Sequence, residues 1–253
     1  MGPREWDADV YHRVSDPQYE WAKEVLERVV ELRGDEVVLD AGCGSGRVTA
    51  LVAERLPRGR VIGVDASESM IAKARQTLGE RAELRVASLT ELELEREVDV
   101  VFSNAVFHWI SDHDLLFERL HRALKPGGRL VAQCGGEGNV ASLARAIRDV
   151  AAAPSFAQHL DGLRGVWNFS SADDAERRLR GAGFEHVRCW LEPKPVTPED
   201  PLDYLTAATL GPHMARLPED LAPSFAAAVA ERMGSPLTLD YVRLNIDAVR
   251  PER

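Results

Sequence analysis

A short apolar run followed by a glycine-rich turn is the feature that most constrains this chain. Residues 37–39 are apolar, Asp40 follows, and residues 42–46 read Gly-Cys-Gly-Ser-Gly. Such a run suits a strand buried on both faces of a parallel sheet, and the glycines let backbone N–H groups approach a ligand closely. A second apolar run, 61–64, ends in Asp65, where a carboxylate can grip a nucleotide ribose. The sequence therefore predicts a nucleoside cofactor.

Composition and charge narrow the classes of partner. The chain has 253 residues and a net charge of −10, which disfavours nucleic acid and anionic lipid. No apolar stretch approaches the roughly 20 residues of a membrane span, and the N-terminus lacks a signal-peptide pattern. Cys43, Cys134 and Cys189 are interpreted as small apolar residues in a reducing compartment. We therefore expect a cytoplasmic protein, monomeric or homodimeric, with neither a nucleic-acid nor a membrane partner.

Strand and helix patterns alternate through the first half of the chain. The expected strands there are 37–40, 61–64, 83–87, 99–103 and 129–134, each accompanied by a helical pattern. The Pro-Gly-Gly sequence at 126–128 is expected to break the chain before the last of these strands. Repeated strand–helix steps of this kind predict an α/β fold with a doubly wound parallel sheet and right-handed crossovers.

The second half of the chain adds helices that the sheet does not need. Two further strands are expected at 186–191 and 238–249, and helices near 201–210 and 219–233. Open α/β sheets bind ligands at the carboxyl ends of their strands, so we expect the extra helices to cap that edge. The predicted division is a cofactor-binding core with an N-terminal lid segment at 1–136, cap insertions at 137–170 and 194–236, a core helix and strand at 171–193, and the last core strand at 237–253.

The spacing of the glycines separates two kinds of cofactor. A dinucleotide-binding loop reads G-x-G-x-x-G, whereas the third glycine here, Gly46, comes one residue early. Asp40 also precedes the loop, where its carboxylate would repel a pyrophosphate and attract a cation. S-adenosylmethionine (SAM) carries a sulfonium and an ammonium group and no phosphate. An NAD-dependent oxidoreductase and a non-catalytic SAM-binding protein remain the alternatives.

Several segments, taken in order, resemble the motifs of the class I SAM-dependent methyltransferases. Residues 40–46 resemble the first motif, and residues 65–70 resemble the acidic second motif, in which the acid holds both ribose hydroxyls. Residues 87–89 are similar to the adenine-binding turn, 102–109 to the fourth motif, which faces the methyl group, and 124–130 to the turn into strand five. The resemblance implies a seven-stranded, mostly parallel, Rossmann-like sheet.

The same resemblance implies SAM as the cofactor and assigns contacts to individual residues. Met70 would pack near the adenine, and Ser88 stands where the family often has Asp. The implied cofactor-binding residues are Asp40, Ala41, Gly42, Gly44, Gly46, Asp65, Ala66, Met70, Ser88, Leu89, Asn104, Ala105 and Tyr11.

A narrower resemblance links the chain to the trans-aconitate methyltransferase group, which methylates a carboxylate oxygen of a small acid. It is carried by Trp6 and Tyr11, by residues 104–109, 183–184 and 240–244. Two departures bear on the acceptor. The group tends to carry arginines after the early Tyr, which are missing here apart from Arg13, and its usual Gln in the fourth motif is His108. A tricarboxylic acid acceptor is therefore disfavoured.

His108 is the candidate catalytic residue, as a base or as an anchor for the substrate. The alternative is a neutral imidazole in the wall of the cofactor pocket. The candidate substrate-binding residues are Trp6, His108, Trp109, Trp167 and Tyr241. His113 and His121 form no metal-ligand set with carboxylates, so no metal is expected.

These observations predict a SAM-dependent methyltransferase that acts on a small molecule. The acceptor atom is expected to be a carboxylate or hydroxyl oxygen, with C- or N-methylation of a small metabolite as the alternative. Catalysis would come mainly from alignment and exclusion of water. A carboxylate needs no general base, whereas a hydroxyl or carbon acceptor makes His108 the first candidate.

Overall fold

Seven strands form one sheet at the centre of the protein. The computed structural model describes residues 16–28, 32–163 and 166–252, with Asp16 described by its backbone alone. The strands are β1 (Val37–Ala41), β2 (Arg60–Asp65), β3 (Glu83–Val86), β4 (Val98–Asn104), β5 (Leu124–Gly135), β6 (Glu185–Pro193) and β7 (Val242–Val249).

The sheet has the order β3-β2-β1-β4-β5-β7-β6. Neighbouring strands from β3 to β5 run parallel, and β7 runs antiparallel to both β5 and β6. Strands β1 and β4 are neighbours, so the strand order reverses between them and opens a crevice at their carboxyl ends. The predicted seven-stranded, mostly parallel fold is confirmed.

Some helices cover the two faces of this sheet, and others pack together in a separate cluster. The described α-helices, in chain order, are α1 (Asp16–Arg28), α2 (Arg47–Glu54), α3 (Glu68–Leu78), α4 (His113–Ala123), α5 (Ala141–Ala151), α6 (Pro154–Leu160), α7 (Ala172–Gly181), α8 (Pro201–Tyr204), α9 (Gly211–Met214) and α10 (Ala222–Met233). Successive residues of β1 point to opposite faces: Val38 packs in a cluster with α1 and α2, and Leu39 packs in one with α4 and α7. This explains why β1 is apolar without alternation.

A separate apolar cluster holds the remaining helices together. Leu143, Phe156, Leu205 and Phe225 represent the elements α5, α6, the turn after α8, and α10 in this cluster. Trp21 of α1 packs in the same cluster, and its ring lies 5.1 Å from that of Tyr241. We call α5, α6 and α8 to α10 the cap. Among the described helices, none is long and apolar enough to cross a membrane.

Three elements differ from the sequence prediction in extent. Strand β5 begins at Leu124 and continues through Pro-Gly-Gly, because the β4–β5 register shifts there and Gly127 takes a φ of +77°. The last strand begins at Val242 and not at 238, since Leu239 instead forms a bridge with Val196. The helix expected at 201–210 is α8 followed by a π-helical turn, Leu205–Thr209.

Candidate active site

The carboxyl ends of the parallel strands bring four predicted segments to one edge of the sheet. Asp40 lies at the end of β1, Asp65 at the end of β2, and Asn104 at the end of β4. Gly135 ends β5 next to them and pairs with Arg243 of β7. A small cavity of about 70 Å³ opens in the crevice between β1 and β4, and its wall includes Asp40 and Asn104.

The glycine loop after β1 follows a path that favours glycine. The N–H groups of Gly42 and Cys43 both donate to the carbonyl of Val64, at 2.8 and 3.0 Å. A Cβ on Gly42 would lie 2.1 Å from Cγ2 of Val106, and its φ is +88°. A Cβ on Gly44, with φ +52°, would meet no atom of the described residues within 4 Å. Gly42 is therefore required by packing, whereas Gly44 faces open space beside the loop.

Asp65 is held by two backbone N–H groups. One carboxylate oxygen accepts from Gly44 N–H at 2.9 Å, and the other accepts from Ser67 N–H at 2.9 Å. Ser67 in turn caps α3, since its hydroxyl accepts from Met70 N–H at 3.2 Å. The side chain of Met70 is buried. The tip of β2 is thus fixed against the glycine loop.

Asp40 is a buried acid at the end of β1. It is 2% exposed and accepts a hydrogen bond from the hydroxyl of Thr49 in α2 at 2.6 Å. Burial, together with the nearby charge of Asp65, raises the pKa of Asp40 to about 7, and the hydrogen bond from Thr49 opposes this. A cation bound beside Asp40 would favour its ionised form.

Two residues that line the same cavity, Gln18 and Asn104, each carry a buried side-chain oxygen. Asn104 Nδ2 donates to the backbone carbonyl of Gln18 at 2.9 Å, and Gln18 Nε2 donates to the hydroxyl of Tyr204 at 2.9 Å. In the part of the chain that the structure describes, the buried oxygens Gln18 Oε1 and Asn104 Oδ1 have no hydrogen-bond donor. Two such oxygens and the carboxylate of Asp40 form a set of acceptors that fits an ammonium group.

His108 is buried above the end of β5. It lies in a 3-10 turn, Phe107–Trp109, and is 7% exposed. Its Nδ1 accepts a hydrogen bond from Gly135 N–H at 3.2 Å. A neutral imidazole whose Nδ1 accepts carries its proton on Nε2, so Nε2 is then a donor. In this tautomer, Nε2 can donate a hydrogen bond but has no lone pair with which to accept a proton.

Aromatic side chains surround His108. The rings of Trp109 and Phe169 lie 4.9 and 5.9 Å from its ring. Trp167 stacks on Phe169 at 5.6 Å and lies 6.3 Å from Trp109. Tyr241 lies in the cap cluster instead, where its hydroxyl is 3.0 Å from that of Tyr204. Trp109 and Trp167 are therefore brought together near His108, and Tyr241 is joined to Gln18 through Tyr204.

The other predicted cofactor residues have ordinary structural partners as well. Ala41 and Leu89 pack in the core on the α4 side of the sheet, and Ser88 caps the short turn that contains Leu89. Gly46 precedes α2 with φ +80°, and Ala105 has φ +62° with its N–H donating to Gln133. Ala66 lies in the turn between β2 and α3. Trp6 and Tyr11 lie outside the described residues.

Sequence reasoning missed two residues that shape the site, Gln18 and Thr49. Thr49 lies nine residues after Asp40 and is placed beside it by the first turn of α2. Gln18 comes from a segment far away in the chain, so no local pattern could have found it.

The described residues also show whether they could form a metal site or supply a reactive thiol. Among them, no group of three or more His, Cys, Asp or Glu residues could hold a metal ion. All three cysteines are free. Burial raises the pKa of Cys134 and that of Cys189 to about 12, and that of Cys43 well above its usual value, so none is a reactive thiolate near neutral pH.

Comparison with known proteins defines the class. Residues 38–128 match a family described as Methyltransferase domain. The trans-aconitate 2-methyltransferase of Variovorax paradoxus is 30% identical over 246 residues, covering 95% of this chain and 94% of the relative. The chain therefore belongs to the SAM-dependent methyltransferases, and SAM is its cofactor.

Two further relatives are also trans-aconitate 2-methyltransferases by name. The trans-aconitate 2-methyltransferase of Methylobacterium nodulans is 35% identical, covering 74% of this chain and 67% of the relative. That of Azoarcus is 41% identical over 128 residues, which cover 51% of this chain and 50% of the relative. The match to the Azoarcus protein thus spans only half of its length.

Solved structures show the same fold at low identity. The YcgJ protein of Bacillus has a TM-score of 0.66 at 16% identity, covering 92% of this chain and all of that one. Haemonchus contortus phosphoethanolamine N-methyltransferase 2, in complex with SAM, has a TM-score of 0.65 at 21% identity, covering 96% of this chain and 56% of that one. The [4+2]-cyclase SpnF has a TM-score of 0.62 at 22% identity, covering 99% of this chain and 88% of that one. Because a cyclase shares the fold, the fold alone does not define the reaction.

Proposed function

We propose that this protein transfers the methyl group of SAM to a carboxylate oxygen of a small organic acid. The observation that carries the proposal is the hydrogen bond from Gly135 N–H to His108 Nδ1. It leaves the neutral imidazole with a donor at Nε2, and a donor can hold a carboxylate. The relatives named trans-aconitate 2-methyltransferase support an acid as the acceptor.

In this proposal the cofactor lies along the edge of the sheet from Asp40 to Asp65. The ammonium group of the cofactor would be held by Asp40, Gln18 Oε1 and Asn104 Oδ1, which supply only acceptors. Asp65, already fixed by two N–H groups, would hold the ribose hydroxyls. The open space beside Gly44 would admit the cofactor close to the loop.

SAM supplies an electrophilic methyl group on a sulfonium, so the protein needs no covalent intermediate. A carboxylate is already anionic near neutral pH and needs no base to become a nucleophile. His108 would orient one acceptor oxygen through its Nε2–H. Phe169 and Trp109 would exclude water around it, which strengthens that hydrogen bond. Alignment is then the main source of rate enhancement.

A panel of acids tests the reaction type. The protein is incubated with methyl-labelled SAM and single acids, trans-aconitate among them, and each product is analysed by mass spectrometry before and after mild alkali. We expect a labelled methyl ester, which mild alkali hydrolyses to the unlabelled acid. An alkali-stable ether, amine or C-methyl product would contradict the proposal and return the assignment to a hydroxyl, nitrogen or carbon acceptor.

Two variants of His108 separate a donor from a base. His108→Gln keeps an N–H donor, and His108→Ala removes it. We expect His108→Ala to lower kcat/KM about tenfold or more, the value of a hydrogen bond to a charged group, while His108→Gln stays close to the wild type. Equal losses in both variants, with a new dependence of kcat on pH, would indicate a base instead.

A further inference from the structure

The cap contains a cavity that the proposed function has not used. Its volume is about 920 Å³, within the range of sites for small molecules. Most of its wall is apolar, with Ile147, Leu160, Leu163 and Val166 among the contributors, and the exposed residues Arg148, Gln158 and Asp161 form a polar rim. Trp167 and the ring of His213 complete one side.

Trp167 joins this cavity to the surroundings of His108. The Trp167 ring lines the cavity and stacks on Phe169 with an interplanar angle of 15°. Phe169 lies beside His108 and directly over Gly135, where a Cβ would come within 2.7 Å of its ring. An aromatic wall therefore runs from the N–H that orients His108 to the apolar cavity.

We propose that the cap cavity binds the apolar body of the acceptor, so that the acceptor class is a monocarboxylic acid with a long aliphatic chain. This inference rests on the proposed function for the position of the carboxylate at His108. A chain that leaves the carboxylate along Trp109 and Phe169 would reach the cavity past Trp167. The charged lining residues Arg148 and Asp161 are exposed at the rim, so a second carboxylate deeper in the cavity would lose hydration against the apolar part of the wall, which is costly.

Calorimetry with defined probes tests the cavity directly. Decanoate and butyrate are titrated into protein saturated with S-adenosylhomocysteine. Decanoate has six more methylene groups, and burying even two of them would strengthen binding about tenfold. We expect decanoate to bind at least that much more tightly.

Two variants reduce the volume of the cavity, and a third variant serves as a control. Ala144→Leu and Ala157→Leu add bulk to its wall. Ala230→Leu adds the same bulk to a partly buried position on α10 in the cap that does not line the cavity. We expect the first two to weaken decanoate binding, to leave butyrate binding unchanged, and to raise KM for decanoate with little change in kcat. SAM affinity, measured in each variant, reports whether the core is intact.

Several outcomes would overturn the cavity proposal. Equal affinities for decanoate and butyrate would do so, as would equal effects of all three leucine variants on decanoate. A different result bears on the proposed function alone: if decanoate binds as expected and no acid is methylated, the cavity assignment stands and the assigned reaction is wrong.

Discussion

Gly42 and Gly44 both have a positive φ, but their surroundings differ. Such a φ costs an L-residue roughly 1–2 kcal/mol. Only Gly42 also has a side chain, Val106, within reach of an added Cβ. The two glycines should therefore respond differently to alanine.

Alanine at each position separates a packing role from a binding role. Gly42→Ala should reduce the free energy of unfolding by roughly 2–5 kcal/mol, and Val106→Ala in the same chain should restore part of it. Gly44→Ala should cost only about 1–2 kcal/mol but weaken SAM binding about tenfold, because its methyl would occupy the proposed cofactor space. Denaturant unfolding and SAM titration measure the two quantities. Unchanged SAM affinity in Gly44→Ala would remove Gly44 from the cofactor site.

The raised pKa of Asp40 predicts a pH dependence of cofactor binding. With a pKa of about 7, Asp40 is mostly protonated at pH 5 in the free protein. A cationic cofactor favours the ionised form, so binding should release a proton and SAM affinity should rise by up to about a hundredfold between pH 5 and pH 8. Asp40→Asn should abolish this dependence. An unchanged pH profile in that variant would show that another group titrates.

The stability of the free protein should change in the opposite direction. The folded pKa of Asp40 lies above its ordinary value of 3.8, so the folded state binds the proton more tightly than the unfolded chain. Stability contributed by the protonated form is present at acid pH and lost as pH rises towards 7. The free energy of unfolding of the Asp40→Asn variant should not fall in this way as the pH rises, because asparagine does not titrate. Comparison with this variant therefore tests whether Asp40 is the titrating group.

Among the strands and helices, local sequence patterns predicted those elements whose bounds depend on neighbouring residues in the chain. The apolar run of β1 and the glycines after it predicted a strand and a turn, because burial and positive φ restrict the residues there. Ser67 begins α3 in the same way, because serine is favoured at helix starts and its hydroxyl caps this helix. The Pro-Gly-Gly segment was wrongly expected to end one element, since pairing with β4 extends β5 across it. Tertiary pairing thus overrode a local turn signal.

The meeting of site residues at one edge could be predicted from the sequence where those residues end strands. Asp40, Asp65 and Asn104 end strands that the sequence located, so their meeting at one edge followed from parallel pairing. Gln18 reaches the same cavity through the packing of α1. Phe169 reaches His108 from the segment before α7. Such contacts depend on how distant segments pack, which no local pattern encodes.

In the whole molecule, the proposed cofactor edge is joined to the cap. A hydrogen-bonded chain connects the two parts: Asn104 donates to Gln18, Gln18 donates to Tyr204, and the Tyr204 hydroxyl is bonded to that of Tyr241. Tyr204 and Tyr241 also belong to the apolar cluster of the cap. The proposed cofactor residues and the cap are therefore parts of one packed structure.

Titration of SAM into the wild type and Asp65→Ala tests whether the edge between the glycine loop and Asp65 binds the cofactor, with Asp65 on the ribose. Removing the carboxylate should raise the Kd about tenfold or more, while Glu80→Ala, which removes an exposed acid just beyond α3, should leave the Kd unchanged. If the Asp65→Ala variant folds normally and binds SAM as tightly as the wild type, the assignment of the cofactor site is wrong.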